Sequence, residues 1–561
     1  MERKIGVYIC ECGPNIAEKI DIDKVIEAVK TDDDVHVVER YKLLCSEDGK
    51  KYLVEQIQQQ GITHLVVAAC SPRDHQQTFM QVCEQAGVNP YLFHLANIRE
   101  QCAWITQDKE EATNKAIRIT KAAIGRVRYH TSLEKKEIDS NPDVLIIGGG
   151  IAGIEASLQL ATSERHVYLV EKKPELGGML VHFETLFPTM ESTKDFLEEN
   201  IKKIQENPHI TVFTSAQVKE CIGFFGNFEI SVETNEAPEN VNHFDVGAVI
   251  VATGASLYDA HDVSQYGYQE FDNVLSALDF GQMNKTGKIT LKNGKPPKTV
   301  AILHCVGRDT VGYCSEICCM YSLKFIRYLQ EKIPGVTITS VYSDLCIPGK
   351  SYQHFYQETQ GKHVDFIRAS GLKIAKKAEQ LQLTYTNYQG KQDTKLVDMV
   401  ILSPALQPPS DISTIADIIG ISQGKGGFFT EEHEKLAPVS TATEGVYIAG
   451  CIQGPKSVAD TIIQAEAVSG NILSSLIPGK KIEPEVKVSQ VSEAFCTGCK
   501  TCLDVCSYGC ITFDEKKHVS VVNEIICRGC GNCVAACPSG AISLKHFTFA
   551  QIHEEVKEAI A

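Results

Sequence analysis

Residues 143–161 read DVLIIGGGIAGIEASLQLA. The stretch is an apolar strand, a glycine turn and an apolar helix. Gly148, Gly150 and Gly153 fit G-x-G-x-x-G between strand and helix, the context that gives the motif its meaning. The glycines permit a tight turn and let a pyrophosphate approach the helix N-terminus. HVYLVEKK follows, and Glu171 stands at the end of that next strand, about twenty residues on. A carboxylate there bonds a ribose 2′-hydroxyl and disfavours a 2′-phosphate. The reading is an α/β dinucleotide-binding unit, shared at this point between NAD and FAD.

Two later stretches favour FAD. VIVATGA (249–255) is a strand ending in Ala-Thr-Gly, and STATEGVYIAGCIQGPKSVADTIIQAEA is a strand, a glycine turn and a helix. Together they resemble the thioredoxin reductase-like group of flavoproteins with two dinucleotide domains. That resemblance implies an FAD-binding set of Gly148, Gly150, Ala152, Gly153, Glu171, Lys172, Gly178, Thr253, Gly254, Gly450 and Cys451. The group carries Gly-Asp at the last position, where the aspartate binds the ribityl chain. Here Cys451 follows Gly450, and it reads as a small buried residue rather than a redox group.

The chain has 561 residues, too many for one ordinary core, so two to four domains are expected. A net charge of -16 argues against a phosphate-driven nucleic-acid binder. No apolar run is long enough for a membrane span, and MERKIGVYIC lacks the sustained apolar core of a signal peptide. The 22 cysteines, many in C-x-x-C runs, point to metal rather than disulfides. The expected setting is a reducing, anaerobic cytoplasm. Residues 1–131 alternate strands (KIGVYIC, VHVVERY, HLVVAAC) with helices (DIDKVIEAVK, KYLVEQIQQQG) and read as an N-terminal α/β domain. Polar linkers at 132–142 and 478–489 set off an FAD domain at 143–478. A cysteine-dense module at 490–546 and an amphipathic C-terminal helix at 547–561 complete the chain.

CTGCKTCLDVC supplies Cys496, Cys499, Cys502 and Cys506; CRGCGNCVAACP supplies Cys527, Cys530, Cys533 and Cys537. Both runs have the C-x2-C-x2-C-x3-C spacing of a two-cluster bacterial ferredoxin, in which the fourth cysteine ligates the other cluster. One 4Fe–4S centre is therefore expected on Cys496, Cys499, Cys502 and Cys537, and the second on Cys527, Cys530, Cys533 and Cys506. Two structural zinc sites would also take four thiolates each, but the doubled run is far more specific than a lone C-x-x-C. Cys510 is left over and reads as buried.

TVAILHCVGRDTVGYCSEICCMY (299–321) stands where a second nucleotide fold is expected, and it has cysteines in place of the fingerprint glycines. A helix is expected over 315–330, with Cys314 and Cys318 on one face and Cys319 on the flank. Cys305 ends the strand. Four converging thiolates there suit a 4Fe–4S cluster that has taken the nicotinamide nucleotide's place.

With CVGRD…YCSEICCMYSLK, IGGGIAGIEASLQLA, YICECG, AACSPRDH, NIREQC and GCIQGPKSVADTI, nearly the whole chain resembles the A-subunit family of the heterodisulfide reductases. The resemblance implies FAD able to bifurcate electron pairs, and it implies that Lys324 lies near the flavin's reactive nitrogen and tunes it as the catalytic residue. Longer members insert a further ferredoxin domain in the flavin domain and carry cysteines soon after FPT. Here EISVETNEAPENVNHFDVGAVIV runs through a short polar turn and the later text is LFPTMESTKDF, so this is a short form.

In a parallel sheet the loops after the strands gather at one edge. Cys10 and Cys12, Cys45, and Cys70 lie in three such loops and are expected to hold a fourth 4Fe–4S cluster, with Cys102 as reserve ligand. Cys83, Cys221 and Cys346 read as structural. The expected protein is an oxidoreductase carrying FAD and three or four clusters, the electron-transferring and bifurcating member of a larger complex. Its expected partners are heterodisulfide reductase B/C-type subunits, a hydrogenase- or dehydrogenase-linked subunit, ferredoxin and a second copy of this chain. A plain one-electron relay serving a methylenetetrahydrofolate or aromatic acyl-CoA reductase stays open. The missing second glycine fingerprint argues against an NAD(P)H-dependent disulfide reductase.

Overall fold

The computed structural model describes residues 3–235, 237–361, 363–483 and 486–560. Glu236 in the short polar turn and Pro484 and Glu485 in the second linker lie outside the described residues. The chain forms two compact units, Met1–Ile138 with Glu483–Ala561, and Asp139–Ile482. Their borders fall inside the two polar linkers. The N-terminal domain, the cysteine-dense module and the C-terminal helix thus share one unit.

In the first unit, four parallel strands run in the order Val35–Tyr41, Ile5–Cys10, His64–Ala69, Phe93–Asn97. Every residue of the central Ile5–Cys10 strand is buried, as a parallel strand covered on both faces requires. The helix Glu47–Gln60 is capped by the Ser46 side chain and stops at Gly61 in the left-handed conformation. The amphipathic helix Phe549–Ile560 packs on Lys109–Val127, where a Cβ on Gly125 would meet the Glu554 carbonyl at 3.4 Å. Arg126 pairs with Glu555 there. Two short antiparallel pairs, Ser489–Val491 with Ile542–Leu544 and Ile511–Asp514 with Val519–Val522, frame the cysteine runs.

In the second unit, a parallel five-stranded sheet has the order Val446–Ile448, Ala248–Val251, Val144–Ile147, Val167–Val170, Ile210–Phe213. The first strand of the glycine unit sits where the strand order reverses, the place where open α/β sheets bind dinucleotides. A seven-stranded sheet follows, in the order Val274–Ser276, Met399–Pro404, Thr299–Val306, Thr337–Tyr342, Val364–Lys377, Gln380–Asn387, Gln392–Val397. Its first five strands are parallel and its last three form an antiparallel meander. Among the described residues no helix is long and apolar enough to cross a membrane.

Candidate functional site

The glycine turn is built as the motif demands. Gly148 has φ 113°, and a Cβ on it would lie 2.4 Å from the Ala252 carbonyl oxygen. A Cβ on Gly153 would lie 1.9 Å from the Gly148 oxygen, so this glycine serves the packing of helix Ile151–Leu160 on its strand. At Gly150 a Cβ would meet nothing nearer than the Gly178 Cα at 3.9 Å, which leaves the helix N-terminus open to a phosphate. Glu171 is buried; one carboxylate oxygen accepts the Gly149 N–H at 2.6 Å and the other the Lys173 N–H at 2.8 Å.

These residues open on a cavity of about 530 Å³. Gly148, Gly150, Ala152, Glu171, Lys172, Gly178, Thr253, Gly254, Gly450 and Cys451 all line it, and so does Lys324. Gly153 alone of the expected set lies behind the wall, for the packing reason just given. Two buried oxygens in the wall, Thr253 Oγ1 and Asp411 Oδ1, lack a hydrogen-bond partner, as suits a wall that meets a polar ligand. Lys172 pairs with the same Asp411 at 2.8 Å. Burial raises the Cys451 thiol above its usual range, which favours the neutral thiol and agrees with a packing role. The residues present fit FAD.

Lys324 is 2% exposed and not a surface lysine. Its Nζ donates to the Thr185 carbonyl at 2.7 Å and lies 4.6 Å from the centre of the Phe183 ring. Burial brings its pKa down to about 7, against a smaller opposing pull from Glu184.

Helix Cys318–Lys332 also carries Ile317, its N-cap, and Tyr321 to the cavity wall. The helix begins later than the expected 315–330, and Cys314 stands outside it. The chain turns twice before it can start: Gly307 and Gly312 are left-handed, and Glu316 has φ 57°. The thiols still gather. Cys305 and Cys314 both act on the ionisation of Cys318, whose largest influence is the adjoining Cys319. Cys305 and Cys319 each direct Sγ at the Asp344 carbonyl, 3.9 Å away. The adjoining Cys318 thiol, the neighbouring His304 and the Cys346 N–H, which donates at 3.4 Å, hold Cys319 well below the usual thiol range. Cys346, read from sequence as structural, is the missed residue of this group: its thiol meets Cys314. No spacing signals it, because it comes from the loop after the neighbouring strand Thr337–Tyr342.

In the first unit, Cys10 closes its strand, Cys12 follows with φ 41°, Cys45 precedes the capping Ser46, and Cys70 follows His64–Ala69. Cys12 and Cys45 act on Cys10; Cys45 and Cys10 act on Cys70. The Arg99 guanidinium lies against Cys12 and Cys70. Burial raises Cys10 to about 11 and Cys70 to about 12. Such thiols stay protonated unless a strong positive centre stands beside them. Cys102 sits in the apolar core and is influenced by Lys115 and Arg118.

In the cysteine-dense module the grouping is crosswise. Cys499 is influenced by Cys537, while Cys533 is influenced by Cys527, Cys530 and Cys506. Cys510 is buried as expected, and its Sγ lies 3.3 Å from that of Cys506. Among the described residues no three His, Cys, Asp or Glu side chains are placed to hold a single metal ion.

This fold and cavity define a class. The profile of the pyridine nucleotide-disulphide oxidoreductase family matches residues 142–465, and that of the 4Fe-4S dicluster domain matches 495–544. The second iron-sulfur A-subunit of the CoB–CoM heterodisulfide reductase of Methanopyrus kandleri is 33% identical, covering 92% of this chain and 92% of that protein. The A-subunit of the H2:CoB-CoM heterodisulfide,ferredoxin reductase of Methanothermobacter marburgensis is 33% identical over 92% of this chain and 91% of its own. The thioredoxin reductase of Lactococcus lactis aligns in structure over 60% of this chain and 99% of its own, at 16% identity and a TM-score of 0.43. The chain belongs to the A-subunit family of the heterodisulfide reductases. It is an FAD-dependent oxidoreductase with 4Fe–4S clusters, and its work is electron transfer. The alignment to the Methanopyrus relative runs over 608 residues, more than the 561 of this chain, in keeping with a short form.

Proposed function

We propose that the chain is the electron-distributing member of a heterodisulfide reductase-like complex and that its flavin bifurcates electron pairs. Gly148, Gly150 and the N-terminus of helix Ile151–Leu160 would hold the pyrophosphate of FAD, which would supply the exchange between two-electron and one-electron chemistry. Cys305, Cys314, Cys318 and Cys319 would hold a cluster beside it. Cys10, Cys12, Cys45 and Cys70 would hold a second, and the two crosswise sets of the C-terminal module the third and fourth. The observation that carries the reading is one helix with two duties: Cys318 and Cys319 open it, and Lys324, less than two turns on, reaches the cavity. Lys324 holds a proton on Nζ near neutral pH, so it can offset negative charge arriving in a dry site or give up that proton.

Relatives bear names of heterodisulfide reductase subunits, some with ferredoxin. On that basis the proposed partners are B/C-type subunits, a hydrogenase- or dehydrogenase-linked subunit, ferredoxin and a second copy of the chain, in the cytoplasm. A second reading, a one-electron relay serving another reductase, is favoured by the plain hairpin of Asn227–Thr234 and Ala237–Val246, which offers no inserted ferredoxin domain. An anaerobic reductive titration followed by visible absorption and EPR separates the two. Bleaching of the flavin without a persistent organic radical supports bifurcation; a radical that accumulates supports the relay.

A further inference from the structure

A second cavity, of about 180 Å³, lies in the first unit, within the Met1–Ile138 and Glu483–Ala561 segments. Three histidines line it, His94, His130 and His546, together with Arg126, Lys487 and Gln76, and no carboxylate does. His130 and His546 stack, with ring centres 4.3 Å apart, and His94 meets His130 edge-on at 5.8 Å. Arg126, His130 and His546 are each at least nine-tenths buried. Each has one ring or guanidinium nitrogen without a partner: Arg126 Nε, His130 Nε2 and His546 Nδ1.

The hydrogen positions follow from the other contacts. His130 Nδ1 lies 3.0 Å from the Tyr91 carbonyl and His546 Nε2 lies 2.8 Å from the Thr131 carbonyl. A carbonyl only accepts, so those nitrogens carry the hydrogens; at His546 the Thr131 N–H also faces Nε2, at 3.3 Å, and the shorter contact to the carbonyl decides the tautomer. The unpartnered nitrogens of both histidines therefore present lone pairs, while Arg126 Nε presents a hydrogen. Burial, with the neighbouring cations and histidines, holds His94, His130 and His546 below the usual imidazole range, at about 3, about 2 and about 4. The rings are neutral in this setting.

A ligand that satisfies all three atoms offers an anionic oxygen to Arg126 Nε, whose Nη1 already pairs with Glu555, and O–H groups to the two imidazoles. We propose that the cavity binds dihydrogen phosphate, which carries two O–H groups beside its anionic oxygens, on Arg126, His130 and His546. This species is present near neutral pH, whereas the monoanion of a phosphate monoester carries one O–H and leaves one imidazole unmet. Sulfate has the charge and shape but no O–H, and it leaves the two lone pairs unmet.

Isothermal titration calorimetry of the full chain with its cofactors, under anaerobic conditions at neutral pH, tests this with inorganic phosphate, sulfate and glycerol 3-phosphate at matched ionic strength. The expected result is one phosphate per chain, bound at least about tenfold more tightly than sulfate, the effect of one lost hydrogen bond or more. His130→Phe keeps the stack and removes the lone pair, and it should weaken phosphate by at least about tenfold. Glycerol 3-phosphate, with one phosphate O–H in its monoanion, should bind more weakly than phosphate. Sulfate or glycerol 3-phosphate equal to phosphate, no binding of phosphate, or an unchanged His130→Phe overturns the proposal. The comparison of anions on the unaltered chain holds even if the variant does not fold.

Discussion

Two strand–turn–helix units lie in the same compact unit, Asp139–Ile482, and they differ at the turn. After Val144–Ile147 the turn is bare: at Gly150 an added Cβ would have open space out to 3.9 Å. After Thr299–Val306 the turn is filled: a Cβ on Gly307 would lie 2.4 Å from the Tyr258 ring, and the next residues bring thiols rather than N–H groups together. The same local architecture thus leaves space beside the turn in one place and fills it with a tyrosine ring in the other. The first strand leads straight into helix Ile151–Leu160 with its N-terminus open, while the second leads into the single turn Arg308–Val311 and the long helix starts only at Cys318.

Gly153→Val should break the first turn outright. A side chain at 1.9 Å from a backbone oxygen has no rotamer to escape into. The variant should lose most of its FAD, read as flavin absorbance per chain after desalting, while the iron of the C-terminal module stays. A smaller loss tests the crosswise sets of that module. Cys537→Ser should remove the EPR signal that Cys499→Ser removes, and Cys506→Ser the one that Cys530→Ser removes, with about half of the module's cluster iron lost each time.

Lys324→Met sharpens the comparison at the cavity end. Burial lowers the folded-state pKa of Lys324 to about 7, below its unfolded value. Between these values the unfolded chain holds the extra proton, so folding is penalised there and stability rises with pH toward the unfolded pKa. Lys324→Met should therefore stabilise the flavin-free protein at pH 7, by on the order of a few kcal/mol. The gain should shrink as pH rises toward 10, which denaturant unfolding at several pH values reads. In the loaded protein, the absorption band of oxidised flavin should titrate near pH 7 only when Lys324 is present. The smallest effect is expected from Cys346→Ala. Its backbone N–H still donates to Cys319, so cluster iron should be retained and only the potential of that one centre should move, read by EPR-monitored redox titration.

The parts of this fold that are legible in sequence are local. A glycine fingerprint, a doubled four-cysteine run and an apolar strand each announce themselves within twenty residues. The three-loop thiol group of Cys10, Cys12, Cys45 and Cys70 needs one further rule, that loops after parallel strands share an edge. What stays hidden is set by distant packing. Tyr258 covers the Gly307 turn from another element, and Cys346 joins the second-unit thiols from the next strand's loop. The C-terminal helix carries an amphipathic pattern that says it packs but not that Lys109–Val127 receives it. The i, i+4 spacing misplaces Cys314 on a helix because it says nothing of a left-handed Glu316 between the two cysteines.

The thiols of the second turn are proposed to hold a cluster in the place of a nicotinamide nucleotide. The direct measurement is iron content and EPR of Cys318→Ser against the unaltered chain, with each then mixed anaerobically with NADPH and NADH. The variant should lose one cluster's iron and its EPR signal while keeping FAD, and neither nucleotide should bleach the flavin of either protein. Unchanged iron and EPR in the variant, or rapid bleaching of the unaltered chain by a nicotinamide nucleotide, would contradict the proposal.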